Sequence, residues 1–182
     1  MFNNTESQII PNGIDFLQFY PIDKTAARKQ LNIPLDLKIV LFACNPDRIE
    51  KNYKLAEDAV KSLRNSKVAL KVVYDVNQQI LNKYYNASDV ILLTSFHEGS
   101  PNVIKEALAC NRVIVSTDVG DVSQNIQNIK GCSICSFDPK DVAEKIKEAF
   151  KNENSTGRIS IINLDNKVIA EKIINIYNQL LR

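Results

Sequence analysis

Between residues 38 and 151 the chain alternates short apolar runs with amphipathic stretches, and this alternation restricts the fold more than any other feature. Residues 38–44, 69–73, 89–93, 113–116 and 134–136 are rich in β-branched and other apolar side chains and read as strands. Between them, residues 53–63, 78–85 and 102–110 carry apolar positions at helical spacing. Residues 141–151 follow the last strand in the same way, with Val142, Ala143, Ile146, Ala149 and Phe150 on one face. Strand and helix in strict turn predict an α/β fold: a single Rossmann-like domain with a mainly parallel sheet. Residues 168–182 add a C-terminal helix striped with Ile169, Ile173, Ile174, Tyr177, Leu180 and Leu181. Residues 152–157 are the clearest linker, so the expected division is 1–22 as a leading interdomain-type segment, 23–152 as the domain, and 153–182 as linker and helix. Ile9 to Asp15 is expected to be a short strand running into an Asn-Gly turn.

A chain of 182 residues suggests one domain with a short appendage. With 23 Lys and Arg against 21 Asp and Glu, the net charge of +2 gives no general attraction to nucleic acid or an anionic membrane. Apolar runs such as Val90 to Leu93 are far too short to span a bilayer, and the first residues lack the pattern of a signal peptide. The expected location is the cytoplasm, with peripheral attachment at the inner face of the membrane left open. Cys132 and Cys135 have redox or zinc spacing, but no second such pair exists and the only histidine, His97, is distant in sequence. Reduced, partly buried thiols are expected, and no metal.

The chemistry lies between Thr94 and Glu106. A buried strand ends at Leu93, at the sheet edge where open α/β folds bind ligands. Ser100 then suits an N-cap and Pro101 a first helical position. The amides of Asn102 and Val103 would point out of the helix start, a ready anion site. Glu106 shares the helix face of Asn102, about one turn (~6 Å) along. With a diphosphate at the helix start, Glu106 would reach an attached ribose, and Glu98 would face whatever the distal phosphate carries. On spacing alone this stands beside a plainer reading, in which Glu98 is a solvated loop residue and Glu106 a surface charge.

The surrounding residues carry a resemblance. Glu98 and Glu106 resemble the paired-glutamate motif of glycosyltransferase family four. Ala87 to Ser95 is similar to that family's "AADVxLLPS" strand, and Glu98 to Cys110 to its "EGxxxVxxEAxACG" helix. Val113 to Asp121 resembles "PVVATxVGG", and Ile10 to Asp15 resembles the "IPNGID" segment that opens the family's second domain. The likeness runs in order along nearly the whole chain.

The resemblance implies one half of a GT-B fold: the C-terminal, donor-binding domain of a retaining glycosyltransferase. Its implied function is transfer of a hexose-type sugar from a nucleoside diphosphate donor to a glycan or lipid-linked acceptor, with no metal required. It places Glu98 and Lys51 in catalysis. Gly99, Ser100, Asn102 and Val103 would bind the diphosphate, Glu106 the ribose, and the backbone of Val76 the base. Family members also carry "GRxxxxKG" after the first strand of this half. Here Lys51 matches the lysine, but Pro46 holds the arginine position and Arg48 is displaced by two residues. Asp121 replaces a family glycine, and its expected role is to cap the next helix. Relatives place roughly 150 to 200 residues before the "IPNGID" segment, about one further domain. The implied partner is therefore the N-terminal GT-B half, supplied in cis or in trans, without which the isolated chain should transfer little sugar. Two alternatives stay open: a non-catalytic scaffold of the same fold that docks a partner chain, and a nucleotide-sugar epimerase, against which the paired glutamates speak.

Overall fold

The computed structural model describes residues 8–181; residues 1–7, Arg182 and the side chain of Leu180 lie outside the described residues. Within the described residues five strands, β1 (Lys38–Phe42), β2 (Val68–Val72), β3 (Val90–Leu93), β4 (Ile114–Thr117) and β5 (Ser133–Cys135), form one sheet in the order β2-β1-β3-β4-β5. All four pairings are parallel. A parallel sheet covered on both faces needs strands apolar on both sides, and every residue of β3 and β4 is buried.

Among the described residues eight helices surround it: α1 (Lys24–Gln30), α2 (Tyr53–Ser62), α3 (Gln78–Ala87), α4 (Asn102–Ala109), α5 (Val122–Ile126), α6 (Pro139–Ala149), α7 (Gly157–Ser160) and α8 (Asn166–Leu180). Right-handed crossovers fix their sides. The chain steps outward from β1 to β2 through α2, then returns past β1 to β3 through α3, which must lie on the other face. Accordingly α2 packs with α6, and α3 with α1 and α4. The strand order reverses between β1 and β3, so the loops after those two strands part there and leave a crevice. Among the described residues no helix is long and apolar enough to cross a membrane.

The leading segment differs from expectation. Ile14 makes only an isolated parallel bridge with Asp165, at the start of α8, rather than joining a strand. The segment is nonetheless built into the domain, with Ile14, Phe16 and Phe19 in the core. Asn86 accepts from the Ile22 amide (2.8 Å) and donates to the Tyr20 carbonyl (3.0 Å). Arg158 of α7 donates to the carbonyls of Phe16 (3.1 Å) and Phe19 (2.7 Å) and lies over the Phe16 ring. Helix α1, capped by Asp23, and the short α7 within the expected linker were not foreseen; both are too short to show a clear period.

Helix α1 is held to the sheet by a buried charge. Asp89, just ahead of β3, accepts from Lys24 (2.5 Å) and Lys38 (3.1 Å) on one oxygen. Its other oxygen accepts from Arg28 and the Ile39 amide, both at 2.7 Å. Buried Arg28 also donates to the carbonyls of Ala87, Pro34 and Leu35. Burial pushes the Asp89 carboxyl up, but the bonds from Lys24, Ile39 and Lys38 outweigh it and hold the group below the ordinary range. Asp89→Asn should therefore cost about 3 kcal/mol at neutral pH, since Arg28 stays buried with its countercharge gone. A carboxyl lowered in the folded state contributes fully above its unfolded value, about 3.9, and its contribution disappears as pH falls through the lower folded value. Urea unfolding at pH 7 and pH 3 should show the gap between parent and variant closing in acid.

Candidate functional site

The loops leaving β1 and β3 are stapled together at the crevice. Thr94 donates to the carbonyls of Lys51 (3.1 Å) and Asn52 (3.0 Å), and the Phe96 amide donates to the Glu50 carbonyl (2.9 Å). From the neighbouring β4, Thr117 donates to the Ser95 carbonyl at 2.8 Å. This lattice brings Lys51 and Glu98 into a 2.6 Å ion pair, with side chains 15% and 14% exposed. Ser95 donates to the same Glu98 oxygen at 2.7 Å, and no group among the described residues donates to the other. Asn52, in place of the family glycine, is left-handed at φ 50°, a conformation asparagine tolerates. Lys51 is thereby turned inward at the end of a 3₁₀ turn (Ile49–Lys51).

Helix α4 begins at Asn102, where the apolar spacing puts it, but its cap differs from expectation. Pro101, not Ser100, is the N-cap, and no side chain caps the start, so the amides of Asn102 and Val103 stay free. Ser100 has other partners: it donates to Asp121 at 2.5 Å and accepts from Lys105 at 2.6 Å. Asp121 correspondingly does not cap α5, although it stands at the N-cap position. Lys105 is fully buried and also donates to the carbonyl and side-chain oxygens of Asn12, both at 2.8 Å. Asn12 in turn donates to the side chain of Asn102. The leading segment is thus tied to the start of α4 by a lysine that helix periodicity would place in the apolar face.

One turn along α4, Glu106 turns inward rather than to the surface. It accepts from Tyr85 of α3 at 2.6 Å. Burial raises its carboxyl pKa, and the Tyr85 bond offsets this only in part. Glu98, Glu106, Lys51, Arg48, Ser100, Asn102, Val103 and Val76 all line one open cavity of about 440 Å³ at the strand ends, joined by Asn12 and Tyr74. Gly99 lies in the same loop. Arg48 is the weakest of the expected site residues: its guanidinium is largely exposed and pairs with Glu50 two residues away. Val76 lies in the loop four residues past the end of β2, with its side chain exposed. Sequence reasoning missed Tyr85, Ser95, Asn12 and Lys105. Only Lys105 left a trace, as a charge within a helix whose neighbours Ile104, Ala107 and Leu108 are buried. Cys132 and Cys135 are free, and burial pushes their thiols up to about 11 and about 12, far from the reactive thiolate form.

A profile of the family described as "Glycosyl transferases group 1" matches residues 47–152, more than half the chain. The chain belongs to this family. Bacillus subtilis TuaC, described as a teichuronic acid biosynthesis glycosyltransferase, is 32% identical over 136 residues, 65% of this chain and 35% of TuaC. A D-inositol 3-phosphate glycosyltransferase of Geodermatophilus obscurus is 23% identical over 76% of this chain and 39% of its own. The group 1 domain thus spans well under half the length of these curated relatives. Among solved structures, sucrose-phosphate synthase from Thermosynechococcus elongatus superposes with a TM-score of 0.85 at 22% identity, over 97% of this chain and 53% of that one. Anabaena Alr3699/HepE, solved with UDP and glucose, gives 0.74 at 15% identity, over 94% and 57%. The C-terminal domain of LpcC from Francisella tularensis gives 0.66 at 16% identity, over 88% and 98%. These likenesses establish a GT-B half.

Of the two glycines at the loop that carries Glu98, only Gly120 is demanded by packing. Gly120, at φ 58° after β4, abuts the backbone of that loop: a Cβ there would lie 2.2 Å from the Gly99 oxygen and 2.9 Å from that of Glu98. A Cβ on Gly99 would meet nothing within 4 Å, so packing does not demand a glycine at that position. Gly120→Ala should cost roughly 1–3 kcal/mol in strain and displacement, with amide shift changes centred on residues 96–100 in NMR spectra. Gly99→Ala should leave unfolding within about 0.5 kcal/mol of the parent.

Proposed function

We propose that this chain is the donor-binding half of a retaining glycosyltransferase of the family-four kind, which takes a hexose-type sugar from a nucleoside diphosphate and passes it to a glycan or lipid-linked acceptor. The observation that carries this reading is the convergence, in one cleft, of the uncapped start of α4, the Lys51–Glu98 pair and Glu106. A diphosphate fits the free amides of Asn102 and Val103, at the positive end of the helix dipole. Gly99, with no Cβ, lets phosphate oxygens approach the loop backbone. Ser100, already committed to Lys105 and Asp121, contributes its amide and the rigidity of the loop. The free oxygen of Glu98 faces sugar hydroxyls, Glu106 the ribose, and the Val76 backbone the base.

Departure of the diphosphate leaves negative charge on it and positive charge on the sugar. Lys51 and the helix start answer the first, and Glu98 beside the reacting ring answers the second. This is stabilisation by groups already in place, and no metal enters the reading. Arg48 adds to the cationic rim if phosphate draws it from Glu50. The fold likeness to HepE, whose structure holds UDP and glucose, supports a nucleotide sugar in this position. The acceptor and the remaining catalytic groups belong to an N-terminal GT-B half acting in cis or in trans. Ile173, Ile174, Tyr177 and Leu181 leave an apolar stripe on α8 partly open, suited to pack on such a half. The same stripe supports the second reading, a docking module without turnover.

Calorimetric titration with UDP, GDP and ADP separates the two. One of them should bind, and Glu106→Ala and Lys51→Ala should each weaken it about tenfold or more, the loss of a charge-assisted hydrogen bond. Absence of binding by all three would leave only the docking module. Glu106→Ala binding as tightly as the parent would remove the ribose assignment. Rapid sugar transfer by the isolated chain would overturn the half-enzyme reading.

A further inference from the structure

Glu106 sits at the bottom of the cleft with an unusual set of neighbours. Tyr85 from α3 bonds one of its oxygens, Cys44 approaches from the end of β1, and Cys110 lies further along its own helix. Its causes of perturbation are burial and the Tyr85 bond, with no cation among them. The other charged side chains lining the cleft are Arg48, Lys51, Asp75 and Glu98, and Lys51 is already paired with Glu98. Tyr85 is itself fully buried, and its ring meets Phe19 edge to face at a centroid distance of 5.9 Å. Phe19 belongs to the leading segment, so that segment fixes the ring and the ring fixes the carboxylate. The second Glu106 oxygen accepts from no group among the described residues and is not a buried orphan.

We propose that Tyr85 is a positioning residue for nucleotide binding: from inside the core its phenol grips one oxygen of Glu106 and turns the other toward the hydroxyl pair of a ribose. This rests on reading the cleft as a nucleoside diphosphate site. A carboxylate that accepts from two hydroxyls has to be ionised and pointed correctly. In an apolar wall without a cation, a fixed O–H donor supplies both conditions, because it favours the charged form and selects one rotamer. Burial pushes the phenol far above its ordinary range, and the neighbouring Glu106 charge adds to this, so Tyr85 stays a donor throughout the working pH range. Ribose hydroxyls donating to the open oxygen would stabilise the charged form further, which couples nucleotide binding to loss of the Glu106 proton.

Tyr85→Phe removes the donor and keeps the ring against Phe19, so the core should survive. The test uses the full chain, with UDP, GDP, ADP and inorganic pyrophosphate as probes and carbon-13 NMR titration of the Glu106 carboxyl. In Tyr85→Phe the affinity for the nucleoside diphosphate that the parent prefers should fall about tenfold, with pyrophosphate affinity unchanged. The Glu106 titration should move to higher pH, and the rise of nucleotide affinity with pH should move with it. Pyrophosphate, whose own groups titrate in the same range, corrects for the phosphates. Equal losses for nucleotide and pyrophosphate would mean a general structural defect and overturn the proposal, as would an unmoved Glu106 titration. A parent that binds none of the three nucleotides would instead remove the donor-site reading and the ribose-facing role with it. Parent-like nucleotide binding by Tyr85→Phe would overturn the positioning role while leaving the donor site standing.

Discussion

The cleft depends on a backbone contact. The loop bearing Glu98 leaves β3, and the turn after β4 packs against its main chain so closely that Gly120 has no room for a side chain. Once the 98–99 peptides are seated there, Ser95 and Lys51 can reach Glu98, Ser100 can meet Asp121, and α4 can begin with its amides uncovered. A looser junction between the two strand ends would release all of these together. The parallel sheet supplies the scaffold, because neighbouring strands deliver successive loops to one edge in fixed register.

Acidic side chains divide according to how fully they are satisfied. Asp89, at the opposite edge of the sheet, has both oxygens filled by cations and an amide and serves to bind α1 to the strands. Glu98 and Glu106 are each held through a single oxygen, from Lys51 and Ser95 in one case and Tyr85 in the other. A carboxylate gripped on one side and open on the other is oriented yet still available to a ligand, and both glutamates of this kind line the same cavity.

The sheet and its main helices could be read from the chain because hydrophobic periodicity is a local signal. The runs ending at Phe42 and Leu93, and the helix after Pro101, declare themselves within a dozen residues. That Glu98, Lys51 and Glu106 would lie together was also legible, through their order and spacing in a recognisable motif, and all three line one cavity. What escaped were pairings set by tertiary contact. Ser100 and Asp121 each suit an N-cap locally, and neither caps, because across 21 positions in sequence they bond one another. Tyr85 reads as an ordinary core aromatic until its hydroxyl is seen against Glu106. Lys105 finds its partner 93 residues away at Asn12, a relation that no window along the sequence contains.

The bridge between Ile14 and Asp165 brings two distant stretches of chain side by side. Every strand among the described residues lies between those two positions, so this short contact clasps together the two ends of the sheet-bearing stretch. Asn12, two residues ahead of that clasp, is held by Lys105 and Asn102 at the rim of the cavity, so loosening the clasp would disturb the cavity mouth as well.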